Sequence, residues 1–225
     1  MSSTETTTAA LIAALKARAN PVNVAGMARF GINPAGTLGV PVVEIRKLAR
    51  HVGRNHGIAL ELWASGIHEA RILATIVEDP ARVTRRQMNA WAADFDSWDV
   101  CDQACLNLFR YTPYAWQIAA KWAHAKPEFV RRAGFALMAG LAVKDKGSTD
   151  ERFQTLLPLI RESATDERNF VRKAVNWALR SIGKRNARLR QAAIEAARAI
   201  AALDSRSARW IAADALRELA PSRVR

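Results

Sequence analysis

Phe129-Val130-Arg131-Arg132-Ala133 recurs 41 residues further on as Phe170-Val171-Arg172-Lys173-Ala174, and this repetition decides the fold. A second pair, Ala178-Leu179-Arg180-Ser181-Ile182 and Ala215-Leu216-Arg217-Glu218-Leu219, is offset by 37 residues. Around these blocks apolar residues return every three or four positions: Leu11, Ile12 and Leu15; Ile45, Leu48, Ala49 and Val52; Leu156, Leu159 and Ile160; Ile194, Ala197, Ile200 and Ala201. That is the period of a helix with one buried face, and strand-like alternation is almost absent. The prolines mostly fall where one helical pattern gives way to the next, as first-turn and pre-helix positions favour.

The pattern predicts about ten to twelve helices with short connections. Helical units repeating near 40 residues are the mark of HEAT-like helix pairs, each burying its apolar face against the next. The expected architecture is therefore all-α, a HEAT-like helical-repeat solenoid with a concave, basic face. Residues 1–225 form one domain in this reading, with disorder expected over residues 1–8. The polar stretch Lys144 to Asp150 reads as a loop between helices rather than as a linker.

The formal net charge is +13, unevenly distributed. Residues 1–120 carry 12 basic and 10 acidic side chains, whereas residues 121–225 carry 22 and 11. From Arg172 to Arg190 there are seven basic residues and no acid. A polyanion is the natural partner of such a surface, because each neutralised phosphate releases condensed counterions. Basic residues at equivalent places in successive repeats would line up as a track, although long arginines also cover inter-repeat core with their stems.

Cys101 and Cys105 stand one helical turn apart, a poor geometry for a disulfide, so reduced and buried thiols are expected. His51, His56, His68 and His124 show no paired ligand spacing, and no metal is expected. Met1 to Thr8 lacks the basic region and apolar core of a signal peptide. No stretch approaches the roughly 20 apolar residues of a membrane span. A cytoplasmic monomer with no membrane partner is the expectation. Walker loops, dinucleotide fingerprints, His-Glu-x-x-His and serine elbows are missing too.

What remains is a set of indoles, carboxylates and arginines. In Ser97-Trp98-Asp99-Val100-Cys101-Asp102, Trp98 and Asp102 are four apart and share a helix face, where they could flank one positively charged group. Asp96 or Ser97 can cap a helix beginning near Trp98, which would set Asp102 near the positive end of its dipole and favour the ionised carboxylate. Capping or solvation is the expected role of Asp94, Asp96 and Asp99. Trp63, Trp91, Trp116, Trp122 and Trp210 lie in apolar helical patterns and are expected to pack in the core or between repeats.

The block Trp98 to Asp102, the block Phe129 to Ala133 and the block Phe170 to Arg180, which holds Asn176-Trp177-Ala178, together resemble in order the signature blocks of the DNA alkylation repair enzymes, the HEAT-like alkylpurine DNA glycosylases of the AlkD type. The resemblance runs from about Met27 to at least Lys184. It implies that Trp98 and Trp177 face the lesion, that Asp102 is the catalytic carboxylate and that Arg132 holds the DNA backbone nearby. Arg131, Arg172, Lys173, Arg180, Lys184, Arg185 and Phe30 would contact DNA. Where the best-known relatives carry a tyrosine after Met-Ala-Arg, this chain has Phe30, which keeps the ring and loses the hydroxyl. The implied activity is monofunctional hydrolysis of the N-glycosidic bond of cationic alkylpurines, such as N3-methyladenine and N7-methylguanine, in double-stranded DNA. No cofactor is implied, and the modified nucleotide would stay stacked rather than flip. A non-catalytic HEAT-repeat DNA-binding module and a protein-binding adaptor are the alternatives.

Overall fold

The computed structural model describes residues 7–220, and the described residues are all-helical, without strands. Thr7 caps the first helix, its hydroxyl accepting from the Ala10 N–H, and Thr8 opens it. The rest of the stretch expected to be disordered lies outside the described residues. There are fourteen α-helices and two 3-10 turns among the described residues, more than the sequence pattern suggests. The excess comes from short helices that periodicity cannot resolve. Asp150–Gln154 and Leu157–Glu162 are split at Thr155 and Leu156, with Pro158 in the first turn of the second.

The chain gathers into two compact units, one ending at Thr112 and one beginning at Pro113, where the sequence suggested a single array. The first holds α1 (Thr8–Lys16), α2 (Pro21–Arg29), α3 (Val42–Val52), α4 (His56–Ala64), α5 (His68–Val77), α6 (Arg85–Ala93) and α7 (Trp98–Asn107). Helix starts follow local chemistry: Asn20, Asn55 and Thr84 cap α2, α4 and α6 through their side chains. The core is built on Ile45, Leu62, Ile72, Leu73 and Met88, all buried. Trp63 and Trp91 lie against it, their rings stacked 4.0 Å apart and 2° from parallel, with Phe95 edge-on to Trp63.

The second unit holds α8 (Ala115–Trp122), α9 (Glu128–Lys144), α10 (Asp150–Gln154), α11 (Leu157–Glu162), α12 (Asn169–Gly183), α13 (Ala187–Ala201) and α14 (Arg206–Leu219). The 41-residue repeat maps onto the starts of α9 and α12, which pack together; Phe129 and Phe170 bring their ring centroids within 5.6 Å. α8 crosses α9 at Gly134, where a Cβ would stand 2.6 Å from the Ala123 nitrogen. The absence of a side chain there lets two backbones meet. Trp122 is buried as expected, whereas Trp210 is a correction: it lies on the surface, 37% exposed, with the Arg172 guanidinium 5.2 Å from its ring. Position 210 has the right helical period but stands on the outer face of α14.

Candidate nucleic-acid site

α7 presents the first group of site residues. Ser97 occupies the N-cap position, yet its buried hydroxyl does not cap the helix; it accepts instead from the Asn33 N–H at 2.9 Å. Asp96 accepts from the Asn33 side-chain amide at 2.9 Å, so the entry to α7 is fastened to the 30–40 loop. Trp98 is the first helical residue, half-buried, and its indole Nε1 donates to the Phe30 carbonyl at 3.1 Å. Asp102 follows on the same face and is half-buried. It is the fifth residue of α7, beyond the first turn in which the helix dipole acts most strongly. The helix starts at Trp98 as expected, but neither Ser97 nor Asp96 caps it through its side chain.

The first-turn acid is Asp99, and His68 holds it: Nε2 and Asp99 Oδ2 are 2.8 Å apart, with the ring nearly buried. Burial, the largest influence on His68, disfavours its charged form. The Asp99 hydrogen bond and the negative charges of Asp99, Glu69 and Asp96 outweigh it, and the ring titrates above its ordinary value. Asp94 accepts from Trp63 Nε1 at 2.8 Å. Asp94, Asp96 and Asp99 are thus tied into tertiary hydrogen bonds, where capping or solvation was expected.

Next to Trp98 lies an apolar groove of about 560 Å³ bounded by Met27, Phe30, Ile32, Val40 and Pro41. Phe30 is 74% exposed, so its ring is available at the rim while its carbonyl anchors Trp98. One wall is fixed from below by Glu69. This buried carboxylate accepts from three successive main-chain N–H groups, Leu38 at 2.8 Å, Gly39 at 2.6 Å and Val40 at 3.1 Å. Gly39 has φ 78° and passes so close to the Asn20 carbonyl that a Cβ would lie 2.3 Å from it. Sequence reading missed Asn33, His68 and Glu69. Each acts across 29 to 64 residues of chain, and no local spacing announces such pairs.

In the second unit Arg132 is 6% exposed, and its Nη1 donates to the Phe170 carbonyl at 2.7 Å, so the two copies of the repeat are joined through it. Trp177 is half-buried on α12. The arginines and lysines expected to contact DNA have varied surroundings. Arg131 pairs with Asp166 at 3.2 Å and donates to Ser163. Arg180 pairs with Asp214 and Glu218, and Lys184 with Glu218. Arg185 donates to the Ala142 carbonyl at 2.6 Å and covers the Phe153 ring. Arg172 bonds Asn169 and lies over Trp210. Lys173 is exposed and has no ion-pair partner among the described residues.

Three of the seven basic residues between Arg172 and Arg190 therefore face acids distant in sequence: Arg180, Lys184 and, beside Glu151, Arg188. The pairing is electrostatically firm. The Asn176 hydrogen bond, with Arg180 and Arg217 close by, holds Asp214 below the usual carboxylate range against the opposing effect of burial. For Glu218 burial is the largest influence and works upward, but Lys184 and Arg180 overcome it.

No helix of the described residues is long and apolar enough to cross a membrane. The chain is similar to two known proteins. An uncharacterized protein of Listeria innocua serovar 6a is 22% identical over 165 residues, covering 72% of this chain and 71% of that one. A solved structure, described as a new family of proteins related to the HEAT-like repeat DNA glycosylases with affinity for branched DNA structures, superposes with a TM-score of 0.80 at 18% identity, covering 95% of this chain and 96% of that one. The second likeness establishes the HEAT-like repeat fold. The model of the DNA alkylation repair enzyme family matches residues 11–219, nearly the whole chain, and the protein belongs to that family.

Proposed function

We propose that the protein is a DNA glycosylase that hydrolyses the N-glycosidic bond of positively charged alkylpurines in duplex DNA. The observation that carries this reading is the pairing of Trp98 and Asp102 on one face of α7, with the indole tied to the Phe30 carbonyl and the helix start fastened to Asn33. Alkylation at N3 or N7 gives the purine a formal positive charge, so the base leaves without being protonated. The second carboxylate that ordinary glycoside hydrolysis uses as general acid becomes dispensable. The enzyme's task is to stabilise the oxocarbenium-like sugar as the bond lengthens. Asp102 supplies a negative charge for this and can orient the attacking water. The face of Trp98 attracts the cationic nucleotide, worth about 0.5 to 2 kcal/mol depending on desolvation. Arg132 and Trp177 are assigned to the same reaction by resemblance, as backbone clamp and second indole, and Lys173 to the phosphates.

The direct test is release of free methylpurine from methylated duplex DNA, with Asp102→Asn as the control. Release indistinguishable from that control would defeat the reading. A second reading, a non-catalytic module that recognises DNA structure, is favoured by one observation: the solved protein of the same fold is described as having affinity for branched DNA. It predicts tighter binding to a four-way junction than to a duplex, unaffected by Asp102→Asn, with no base released.

A further inference from the structure

The cleft at the C-terminal end of α3 is lined by three arginines and no acid. Arg46, Arg50 and Arg54 bound a cavity of about 340 Å³ together with Ala49, Gly53 and Ile76. Arg46 and Arg50 stand one turn apart on the same helix face. Gly53, at φ 68°, ends the helix and turns the chain so that Arg54 comes back to the same cleft. A Cβ at Gly53 would meet nothing within 4 Å, so the glycine serves the turn and not the packing, and it leaves the cleft mouth open.

All three arginines are exposed residues, and the partners that Arg46 and Arg54 have are neutral. Arg46 Nη2 reaches Gln103 Oε1 and Asn107 Oδ1 on α7, both at 3.4 Å. Arg54 Nη1 donates to the main-chain carbonyls of Ile76, at 3.0 Å, and of Glu78, at the end of α5. Arg50 makes no side-chain hydrogen bond or ion pair among the described residues. The nearest acid in sequence, Glu44, is taken by Lys47. This differs from the second unit, where Asp214, Glu218 and Glu151 neutralise the basic residues beside them.

Arginine keeps its charge at any physiological pH, so three of them around one cleft repel one another until an anion enters. Guanidinium forks match phosphate oxygens in pairs, and converging forks suit a ligand that offers several oxygens at once. Through Gln103 and Asn107 the cleft abuts the helix that bears Asp102. We propose that Arg46, Arg50 and Arg54 form a phosphate-binding cleft that grips the DNA backbone beside the nucleotide presented to α7. The proposal rests on the DNA-acting reading above and adds an anchor from the half of the chain whose charge is almost balanced.

The test uses the full chain with Arg46→Gln and Arg50→Gln, singly and together, and an unmodified duplex titrated over a series of salt concentrations. Arg54 is kept, because its bonds to the end of α5 give it a structural duty. Each substitution is expected to lower the slope of log affinity against log salt by about 0.9, and the double variant to bind about tenfold more weakly near 0.1 M salt. Arg50→Lys, which keeps the charge, should restore most of the slope. In parallel, inorganic pyrophosphate should shift the arginine Nε–H NMR signals of the wild type and leave the remaining ones unmoved in the double variant. An unchanged slope in a double variant that melts like the wild type overturns the cleft, even if methylpurine is released. A reduced slope in the double variant, together with a wild type that releases no methylpurine, leaves the cleft standing and removes the glycosylase. Should the double variant fold poorly, Arg50→Gln alone decides the matter, since no side-chain bond is lost with it.

Discussion

Trp98 is fastened to the main chain of Phe30, not to its side chain: the indole Nε1 donates to the Phe30 carbonyl across 68 residues of sequence. The orientation of the indole is thereby independent of the residue type at position 30, and the exposed phenyl ring is left for contact with a ligand. Phe30→Ala should therefore leave stability within about 0.5 kcal/mol of the wild type, as surface substitutions usually do. Duplex DNA affinity should fall at the same time. Thermal melting and fluorescence anisotropy separate the two effects, and a large drop in melting temperature would show that the ring is structural after all.

Asp102→Asn keeps the shape of the side chain and removes its charge. Single-turnover release of methylpurine should fall by about 10²- to 10³-fold, the usual cost of removing one electrostatic contact to a transition state. Trp98→Phe keeps a ring but loses the bond to Phe30, and release at saturating DNA should fall by about tenfold or more. Equal rates for wild type and Asp102→Asn would remove the carboxylate from the mechanism.

Glu69 is buried and satisfies the N–H groups of Leu38, Gly39 and Val40 at once. Glu69→Ala leaves three donors without their acceptor and should destabilise the protein by about 3 kcal/mol or more, measured by urea unfolding. Gly39→Ala should do comparable damage, because its φ of 78° and the 2.3 Å approach to the Asn20 carbonyl both exclude a side chain. A near-neutral result for either would mean that the loop has another support.

His68 titrates above its ordinary value, so its protonated form is favoured in the folded chain. The stabilisation is fully present below about pH 6.5, where the unfolded histidine is also charged, and is lost as the pH rises through the raised folded value. Unfolding free energy should decline over that interval in the wild type, and the decline should vanish in His68→Gln. Stability that rises with pH there would contradict the His68–Asp99 pairing.

Glu218 neutralises Arg180 and Lys184. Glu218→Gln should strengthen binding to unmodified duplex by severalfold at low salt, whereas Lys173→Gln should weaken it and lower the salt slope by about 0.9. If Lys173→Gln is silent while Lys184→Gln is not, the paired residues and not the unpaired one meet the phosphates.

The helical fold was legible because two signals agree: apolar residues at three- and four-residue spacing, and the blocks that begin at Phe129 and Phe170. Ile45, Ala49, Ile194 and Ala197 are buried as that spacing requires. The shared face of Trp98 and Asp102 was equally readable, being a property of one helix. Ion pairing was not. Counting Arg172 to Arg190 as uninterrupted positive charge overlooks Asp214, Glu218 and Glu151, which lie 21 to 28 residues outside that stretch, on other helices. The Ser97 hydroxyl shows the same limit on a smaller scale, since a residue of N-cap type in N-cap position bonds elsewhere once Asn33 approaches. Trp210 marks the limit of periodicity, which locates a face but not what covers it.

The parallel overlap of Trp63 and Trp91 carries an optical consequence. Two indoles so close and so nearly coplanar couple their electronic transitions, and the coupling disappears once α4 and α6 separate. Circular dichroism in the indole bands thus gives the N-terminal unit an intrinsic spectroscopic label, sensitive to the scaffold beneath α7 without any attached dye. Trp91→Phe would erase that signature while preserving an aromatic ring against Trp63.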